Sequence, residues 1–170
     1  MLFRSPNGPE SDHPRSNTGE GPSWVASIVN AVGNNAKCPD GEVYWNNTAI
    51  LITWDDWGGW YDHEPPTLLA KAQGDYQYGM RVPFIVVSAY TAAAHVDNNR
   101  SDFGSILRFI EQNFGIAEGA LNFADARATT DLAGFFNLNQ APRVFTTIPA
   151  RFSAHYFIND PRPPSEPDDY

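Results

Sequence analysis

The segment "TAILITWDDWGGWYDHEPP" (residues 48–66) joins an apolar, β-branched run to a loop that is crowded with ionisable and aromatic side chains. The run at 48–54 is short and ends at turn-forming residues, so it predicts a buried β-strand. Two glycines follow the adjacent carboxylates Asp55 and Asp56 and allow the chain to turn sharply there. A turn requires the glycines but not the acidic residues and tryptophans around them. These additional ionisable and aromatic side chains make the loop a candidate functional site.

Other segments on both sides of the loop also carry periodic patterns. "RVPFIVVSAY" (81–90) predicts a second strand that begins near its proline. "GPSWVASIVNAVGNN" (21–35) and "SDFGSILRFIEQNFG" (101–115) predict helices, the second with Asp102 as its N-cap. The apolar stripes predicted for these two helices consist of Val25, Ile28, Val29 and Val32 in the first, and Phe103, Leu107, Ile110 and Phe114 in the second.

The order helix, strand, loop, strand, helix predicts an α/β fold built in layers. In such folds ligands bind beyond the carboxyl ends of the strands, which is where the acidic loop begins. Residues 1–20 and the proline-broken, acidic residues 156–170 predict poorly ordered ends, and residues 21–155 predict the folded domain.

Composition excludes several classes of partner. The chain has 170 residues and a net charge of -9, which argues against nucleic acid because phosphate backbones need clustered Lys and Arg. No apolar run approaches the roughly 18 residues of a transmembrane helix, and no signal peptide is visible at the N-terminus. The single cysteine, Cys38, cannot form an internal disulfide, so the sequence leaves localisation open.

The two adjacent carboxylates favour a bound cation. Like charges side by side repel one another, and a divalent metal ion removes that cost because carboxylate oxygens are ligands of Mg, Ca, Mn and Zn. Asp62 and His63 return towards the same neighbourhood and are candidates for contacts around such an ion or its substrate. The same spacing also suits a solvated acidic turn with tryptophans packed beneath it, and spacing alone does not choose between the two.

Two further functions remain open from the residues. The tryptophans of the loop are compatible with a carbohydrate-binding module that has no catalytic activity. Alternatively, Asp55 or Asp56 together with Glu64 could serve as the paired carboxylates of a glycosidase. A metal would be irrelevant to both functions.

Ordered blocks of the sequence resemble a known family. They are "DHPRS" with "GPSWVASIVNAV", "TAILITWDDWGGWYDHEPPT", "GMRVPFIVVSAYT", "SDFGSILRFIEQNFG" and "TTDLAGFFNLNQAPRVF". In this order, from about residue 12 to residue 150, they resemble the C-terminal portion of the bacterial phosphoesterase family, which includes haemolytic and non-haemolytic phospholipases C and some acid phosphatases. The order of several blocks is more specific than the acidic loop alone.

The resemblance implies an alkaline-phosphatase-like α/β/α sandwich and a hydrolase of phosphoric ester bonds, with a divalent metal ion and a phospholipid or a small phosphomonoester as substrate. It implies that Asp55 and Asp56 are metal ligands and that His13, with His63, belongs to the catalytic site. Where the commoner form of the family has a histidine, this sequence has Phe103, so that histidine's role is absent.

The resemblance also implies that a longer protein would complete the site. Its N-terminal half would carry a Glu-Asn metal-binding pair and a Ser or Thr nucleophile, which residues 1–20 do not resemble. The expectation is therefore an incomplete fragment that is inactive alone, exposes apolar sheet surface and associates. Family members of this kind are expected to be secreted or periplasmic.

Overall fold

The computed structural model describes residues 6–14, 16, 18–34, 36–67 and 77–163. The helices are α1 (Gly21–Gly33), α2 (Phe103–Phe114), α3 (Phe123–Ala126) and α4 (Ala154–Ile158), and the strands are β1 (Ala49–Thr53) and β2 (Phe84–Ser88). Short 3-10 helices span Gly8–Glu10, Tyr44–Asn47 and Ala133–Phe135. Within the described ranges, every helix is too short or too polar to cross a membrane.

β1 and β2 form a two-stranded antiparallel sheet. Its register pairs Ala49 with Ser88, Ile50 with Val87, Leu51 with Val86, Ile52 with Ile85, and Thr53 with Phe84. The end of β1 therefore lies beside the start of β2, and the segments that follow Thr53 and precede Phe84 meet at one edge. The two predicted strands and the two predicted helices are confirmed, and the mixture agrees with the α/β class. The α/β/α sandwich stays a prediction.

The prediction that both strands are buried is wrong. Ser88 is the one strand residue that is buried; Ala49 and Ile85 are exposed and the other residues are half-buried. Within the described chain the sheet is not covered well enough on either face to remove its apolar side chains from water. The apolar run forms a strand, as predicted, but the described residues do not form the layers that would bury it.

The buried face of α1 also differs from the predicted stripe, of which Val29 alone is buried. The buried positions are otherwise small residues, namely Gly21, Ser23, Ala26 and Gly33. A Cβ at Gly33 would overlap the Phe145 ring, so the missing side chain allows this close approach. The segment that follows Phe145 runs along the same face: the Asn30 amide both donates to the carbonyl of Ile148 (2.9 Å) and accepts from its N–H (2.8 Å).

α2 begins as predicted, but it buries a different face. Phe103 and Phe114, at the two ends of the predicted stripe, are 44% and 61% exposed. Its buried residues are Gly104, Ser105 and Glu111, which face α3 and its flanking loops. A Cβ at Gly104 would overlap the carbonyl oxygen of Ala124, so α3 packs directly on the helix backbone.

Described residues from the N-terminal and C-terminal segments are in contact with each other. In the predicted N-terminal segment, Glu10 and Glu20 are buried, and Arg162 of the predicted C-terminal segment contacts both. Residues 1–5 and 164–170 lie outside the described residues. The division into 1–20, 21–155 and 156–170 stays a prediction.

Candidate functional site

The acidic loop leaves β1 as a tight turn on the surface. Asp55 and Asp56 are exposed, and the Asp56 carboxylate accepts a hydrogen bond from the N–H of Gly58 (2.5 Å). Gly58 and Gly59 have φ angles of 59° and 74°, a left-handed conformation that is strained for other residues. The turn prediction is confirmed, and Asp56 closes the turn with its own side chain.

Asp55 and Asp56 do not by themselves form a metal centre. Among the described residues, no group of three or more His, Cys, Asp or Glu side chains is arranged to hold a metal ion. A divalent cation that is bound through oxygen takes about six or more ligands, and two neighbouring carboxylates supply only part of that number. These two side chains have the right donor chemistry for such an ion, but the described residues do not complete its coordination.

Asp62 is directed towards Arg81 instead of the two aspartates. Arg81 donates two hydrogen bonds to the Asp62 carboxylate, at 2.6 and 2.8 Å, and the N–H of Glu64 donates a third at 3.1 Å. These hydrogen bonds hold the pKa of Asp62 far below its usual range, and those from the Arg81 guanidinium have the largest effect. His63 lies next to this pair: its Nδ1 is 3.4 Å from Asp62 and its side chain is 84% exposed. His63 is thus accessible at the edge of the loop.

The segment that contains His13 packs against the acidic loop. The two segments come near each other at Gly58, where an added Cβ would stand 3.3 Å from Cγ of Pro14. His13 is half-buried, and its backbone is held by two hydrogen bonds: its N–H donates to Oγ of Ser11 (3.1 Å) and its carbonyl accepts from the N–H of Ser16 (2.7 Å). Two candidate segments that lie more than forty residues apart in the sequence are therefore neighbours in the fold.

Asp102 holds the start of α2 and is the centre of a polar network. One carboxylate oxygen accepts from the N–H of Ser105 (3.1 Å), which forms a capping box with the N–H of Asp102 donating back to Oγ of Ser105 (3.2 Å). The other oxygen accepts from Tyr78 (2.9 Å) and from Nε of Arg127 (3.0 Å). Oγ1 of Thr130 donates to the fully buried Ser105 (3.0 Å). Asp102 and Ser105 therefore stabilise the start of α2. Phe103, which lies between them in the sequence, is partly exposed.

Aromatic side chains of the loop are open to solvent. Trp57 is 45% exposed, Trp60 65% and Tyr61 82%, whereas Trp54 is half-buried. Trp57 and Trp60 are therefore not packed beneath the turn, as the alternative of a solvated acidic turn would place them. His95 is exposed, and its ring lies 5.9 Å from that of Phe135.

Arg81 was not among the residues that the sequence pointed to. Asp62 and Arg81 are 19 residues apart, and their pairing depends on the antiparallel register, which places the segment after β1 beside the segment before β2. A prediction that the two strands pair in antiparallel fashion would have placed Asp62 near Arg81. The residue pattern predicts the two strands, whereas their antiparallel direction is seen only in the structure.

The sequence was compared with families of known proteins. The Phosphoesterase family matches residues 2–117, which is more than half of the chain and includes His13, Asp55, Asp56 and His63. The chain belongs to the phosphoesterase family. The resemblance of the blocks up to α2 is thereby confirmed, while the block at 129–145 lies beyond the matched range.

Curated relatives of this chain are phospholipases C. It is 27% identical to the non-hemolytic phospholipase C of Pseudomonas aeruginosa over an alignment that covers 91% of this chain and 27% of the relative. It is 29% identical to the non-hemolytic phospholipase C of Burkholderia pseudomallei, with coverages of 61% and 17%. It is 27% identical to the non-specific phospholipase C6 of Arabidopsis thaliana, with coverages of 70% and 25%. The chain spans about a quarter or less of the length of these relatives.

Proposed function

We propose that this chain forms part of a hydrolase that acts on phosphoric ester bonds. Membership of the phosphoesterase family and the names of its relatives support this reaction class. The observation that carries the proposal is the proximity of Pro14 to the Gly58 turn, where an added Cβ would stand 3.3 Å from Cγ of Pro14, because it places the residue after His13 near a loop with two exposed carboxylates. Acid–base and anionic ligand groups are the two kinds of side chain that hydrolysis of a phosphoester requires.

In this proposal each candidate residue has one task. Asp55 and Asp56 contribute two oxygen ligands to a divalent cation whose other ligands lie outside the described residues. When bound, such an ion would offset negative charge on the phosphoryl oxygens. A hydroxyl nucleophile from outside the described residues would attack phosphorus while the bond from phosphorus to the alcohol oxygen breaks; His13 donates a proton to that leaving oxygen, and water then releases the phosphoryl group. His63, which is exposed at the edge of the loop, contacts the substrate.

Arg81 has a supporting task in the same proposal. By binding Asp62 through two hydrogen bonds, it neutralises the third carboxylate of the loop and keeps it away from the first two. The negative charge available to a cation is then concentrated on Asp55 and Asp56. Without this pairing, Asp62 would add a further unpaired negative charge to a short loop that already carries Asp55, Asp56 and Glu64.

The reaction is tested in a chimera. This chain would replace the aligned region of the non-hemolytic phospholipase C of Pseudomonas aeruginosa, and hydrolysis of a chromogenic phosphoester would be measured with Mg²⁺, Ca²⁺, Mn²⁺ or Zn²⁺. We expect activity that falls by roughly 10²–10⁴-fold in His13→Ala and is abolished in Asp55→Ala. The matched control is Asp40→Ala, which removes an exposed carboxylate outside the loop.

The isolated chain is expected to show no turnover under the same conditions, because its described residues do not complete a metal site. Turnover by the isolated chain that disappears in Asp55→Ala would contradict this expectation. A folded chimera whose activity is unchanged by Asp55→Ala and His13→Ala, or by a chelator, would reject the proposed roles. A chelator also separates the phosphoesterase from a glycosidase or a carbohydrate-binding module, neither of which would need the ion.

A further inference from the structure

A cluster of charges joins the two ends of the described chain. Nη2 of Arg162 lies 3.0 Å from the carboxylate of Glu10, 2.6 Å from that of Glu20 and 2.5 Å from that of Asp160. The Tyr156 hydroxyl donates a further hydrogen bond to Glu20 (3.0 Å). We call these five residues the Arg162 clasp.

Two carboxylates of the clasp are buried, while the Arg162 side chain that binds them is 38% exposed. The side chains of Glu10 and Glu20 are 4% and 8% exposed, and an unpaired carboxylate is costly in such surroundings. Burial raises the pKa of Glu10, whereas the hydrogen bond from Arg162 lowers the pKa of Glu20. The Arg162 guanidinium therefore keeps Glu20 in its ionised form. The same guanidinium pairs with both buried glutamates.

The clasp bears on the candidate site because Glu10 and Glu20 lie on either side of the segment that contains His13. Glu10 ends a 3-10 helix and Glu20 directly precedes α1, so together they bracket the segment that contains His13 and Pro14. Arg162 binds both ends of this bracket although it lies 152 and 142 residues away. The bracketed segment is also the one that reaches Gly58 of the acidic loop.

We propose that Arg162 is a positioning residue, which holds the segment of His13 against the acidic loop by fixing Glu10 and Glu20 at the two ends of that segment. This inference rests on the proposed function for its purpose, since it assigns His13 a place beside Asp55 and Asp56. It goes beyond that function because Arg162 lies outside residues 2–117, the range that the family matches. No contact between Arg162 and a substrate is involved.

An arginine suits this position better than a lysine does. Its planar guanidinium presents several N–H donors in a fixed fork and can bind more than one carboxylate at once. Here Nε binds Asp160 (2.8 Å) while Nη2 reaches the two glutamates. A lysine would keep the charge but would hold fewer of these carboxylates in a defined geometry.

The test is NMR spectroscopy of the intact chain in the variants Arg162→Gln and Arg162→Lys. The first readout is the imidazole resonance of His13, with His63 and His95 as internal references. The second is amide hydrogen exchange at residues 11–13, the residues before Pro14 that carry an N–H. Arg151→Gln is the matched control, because Arg151 carries the same charge in the same part of the chain and lies over Phe152 instead of the clasp.

In Arg162→Gln we expect a shifted His13 resonance and amide exchange at residues 11–13 that is faster by roughly tenfold or more. A smaller effect is expected in Arg162→Lys, and none in Arg151→Gln. An unchanged His13 resonance and unchanged exchange in Arg162→Gln would overturn the proposal. Equal effects in Arg151→Gln would overturn it too, because loss of charge alone would then explain them.

If Arg162→Gln unfolds the chain, Tyr156→Phe replaces it, since this variant removes one hydroxyl bond to Glu20 and keeps the ring that packs on Phe152. A shift of His13 in Tyr156→Phe supports the clasp, and an unchanged His13 rejects it. Neither readout requires hydrolysis. Failure of the chimera test would therefore remove the function assigned to His13 and leave the clasp in place, and the reverse outcome would remove the clasp alone.

Discussion

Asp102 combines two tasks that single residues usually perform separately. It caps the N-terminus of α2 through Ser105, and it pairs with Arg127, which approaches from just beyond α3. Its side chain is 9% exposed, so its partners would be left in a largely dry environment if it were removed. The network therefore ties the start of one helix to the end of another.

We predict that Asp102→Ala lowers the free energy of unfolding by about 2–4 kcal/mol, because it removes a helix cap and leaves Arg127 without its carboxylate. Urea denaturation followed by circular dichroism measures the change. The exposed Asp40 provides the control, since Asp40→Ala removes only a turn contact to the N–H of Glu42. A loss in Asp102→Ala no larger than that in Asp40→Ala would contradict this account of the network.

The interface between α2 and α3 contains a buried pair of acids. Glu111 and Asp125 are 2% and 0% exposed, and the N–H of Leu121 donates to Asp125 (3.2 Å). The neighbouring Asp125 carboxyl raises the pKa of Glu111, while Glu111 lowers the pKa of Asp125. Ionised carboxylates only accept hydrogen bonds, so the pair is stable when Glu111 keeps its proton and donates it to Asp125.

The stability of this interface should therefore depend on pH. The pKa of Glu111 is raised above its usual value of 4.5, so its stabilising contribution is fully present below that pH and is lost as the pH rises through the folded-state pKa. The pKa of Asp125 is lowered, so its contribution is present above 3.8 and is lost as the pH falls through its folded-state pKa.

We predict that Glu111→Gln becomes progressively more stable than the natural chain as the pH rises above about 4.5. The amide keeps a hydrogen-bond donor towards Asp125 and never ionises. Thermal unfolding between about pH 4 and about pH 8 measures the difference, with Glu42→Gln as the exposed control. Identical pH profiles for Glu111→Gln and the natural chain would show that the proton is not shared as described.

At the scale of the whole molecule, apolar surface is left uncovered. Val144 is 92% exposed, Ile158 81%, Leu138 75% and Val96 74%. In β2, Ile85 is 48% exposed on a sheet of only two strands. Small sheets with open edges and exposed apolar residues tend to pair with other chains.

We predict that the isolated chain associates as its concentration rises and that Ile85→Thr weakens this association. Threonine keeps a β-branched side chain in the strand while it reduces apolar surface. Sedimentation velocity over a range of concentrations measures the effect. Val144→Thr is the control, because Val144 is exposed outside the sheet. A chain that stays monomeric at all concentrations would contradict the prediction.

Local patterns in the sequence determined the kinds of element and the chemistry of the loop. The β-branched run gave β1, Asp102 and Gly115 gave the two ends of α2, and the two glycines gave the turn after Asp56. Each of these features depends on residues that are close together in the chain. Backbone preference and short-range hydrogen bonds act over that distance, so a single sequence reveals them.

The tertiary structure alone decided which faces are buried and which distant residues meet. α1 buries Ser23 and Ala26 because a segment more than a hundred residues away lies against them, and Glu10 and Glu20 are paired by Arg162 from the other end of the chain. Such contacts depend on the path of the whole backbone. A helical period specifies that one face will be buried, but the neighbour that arrives determines which face it is.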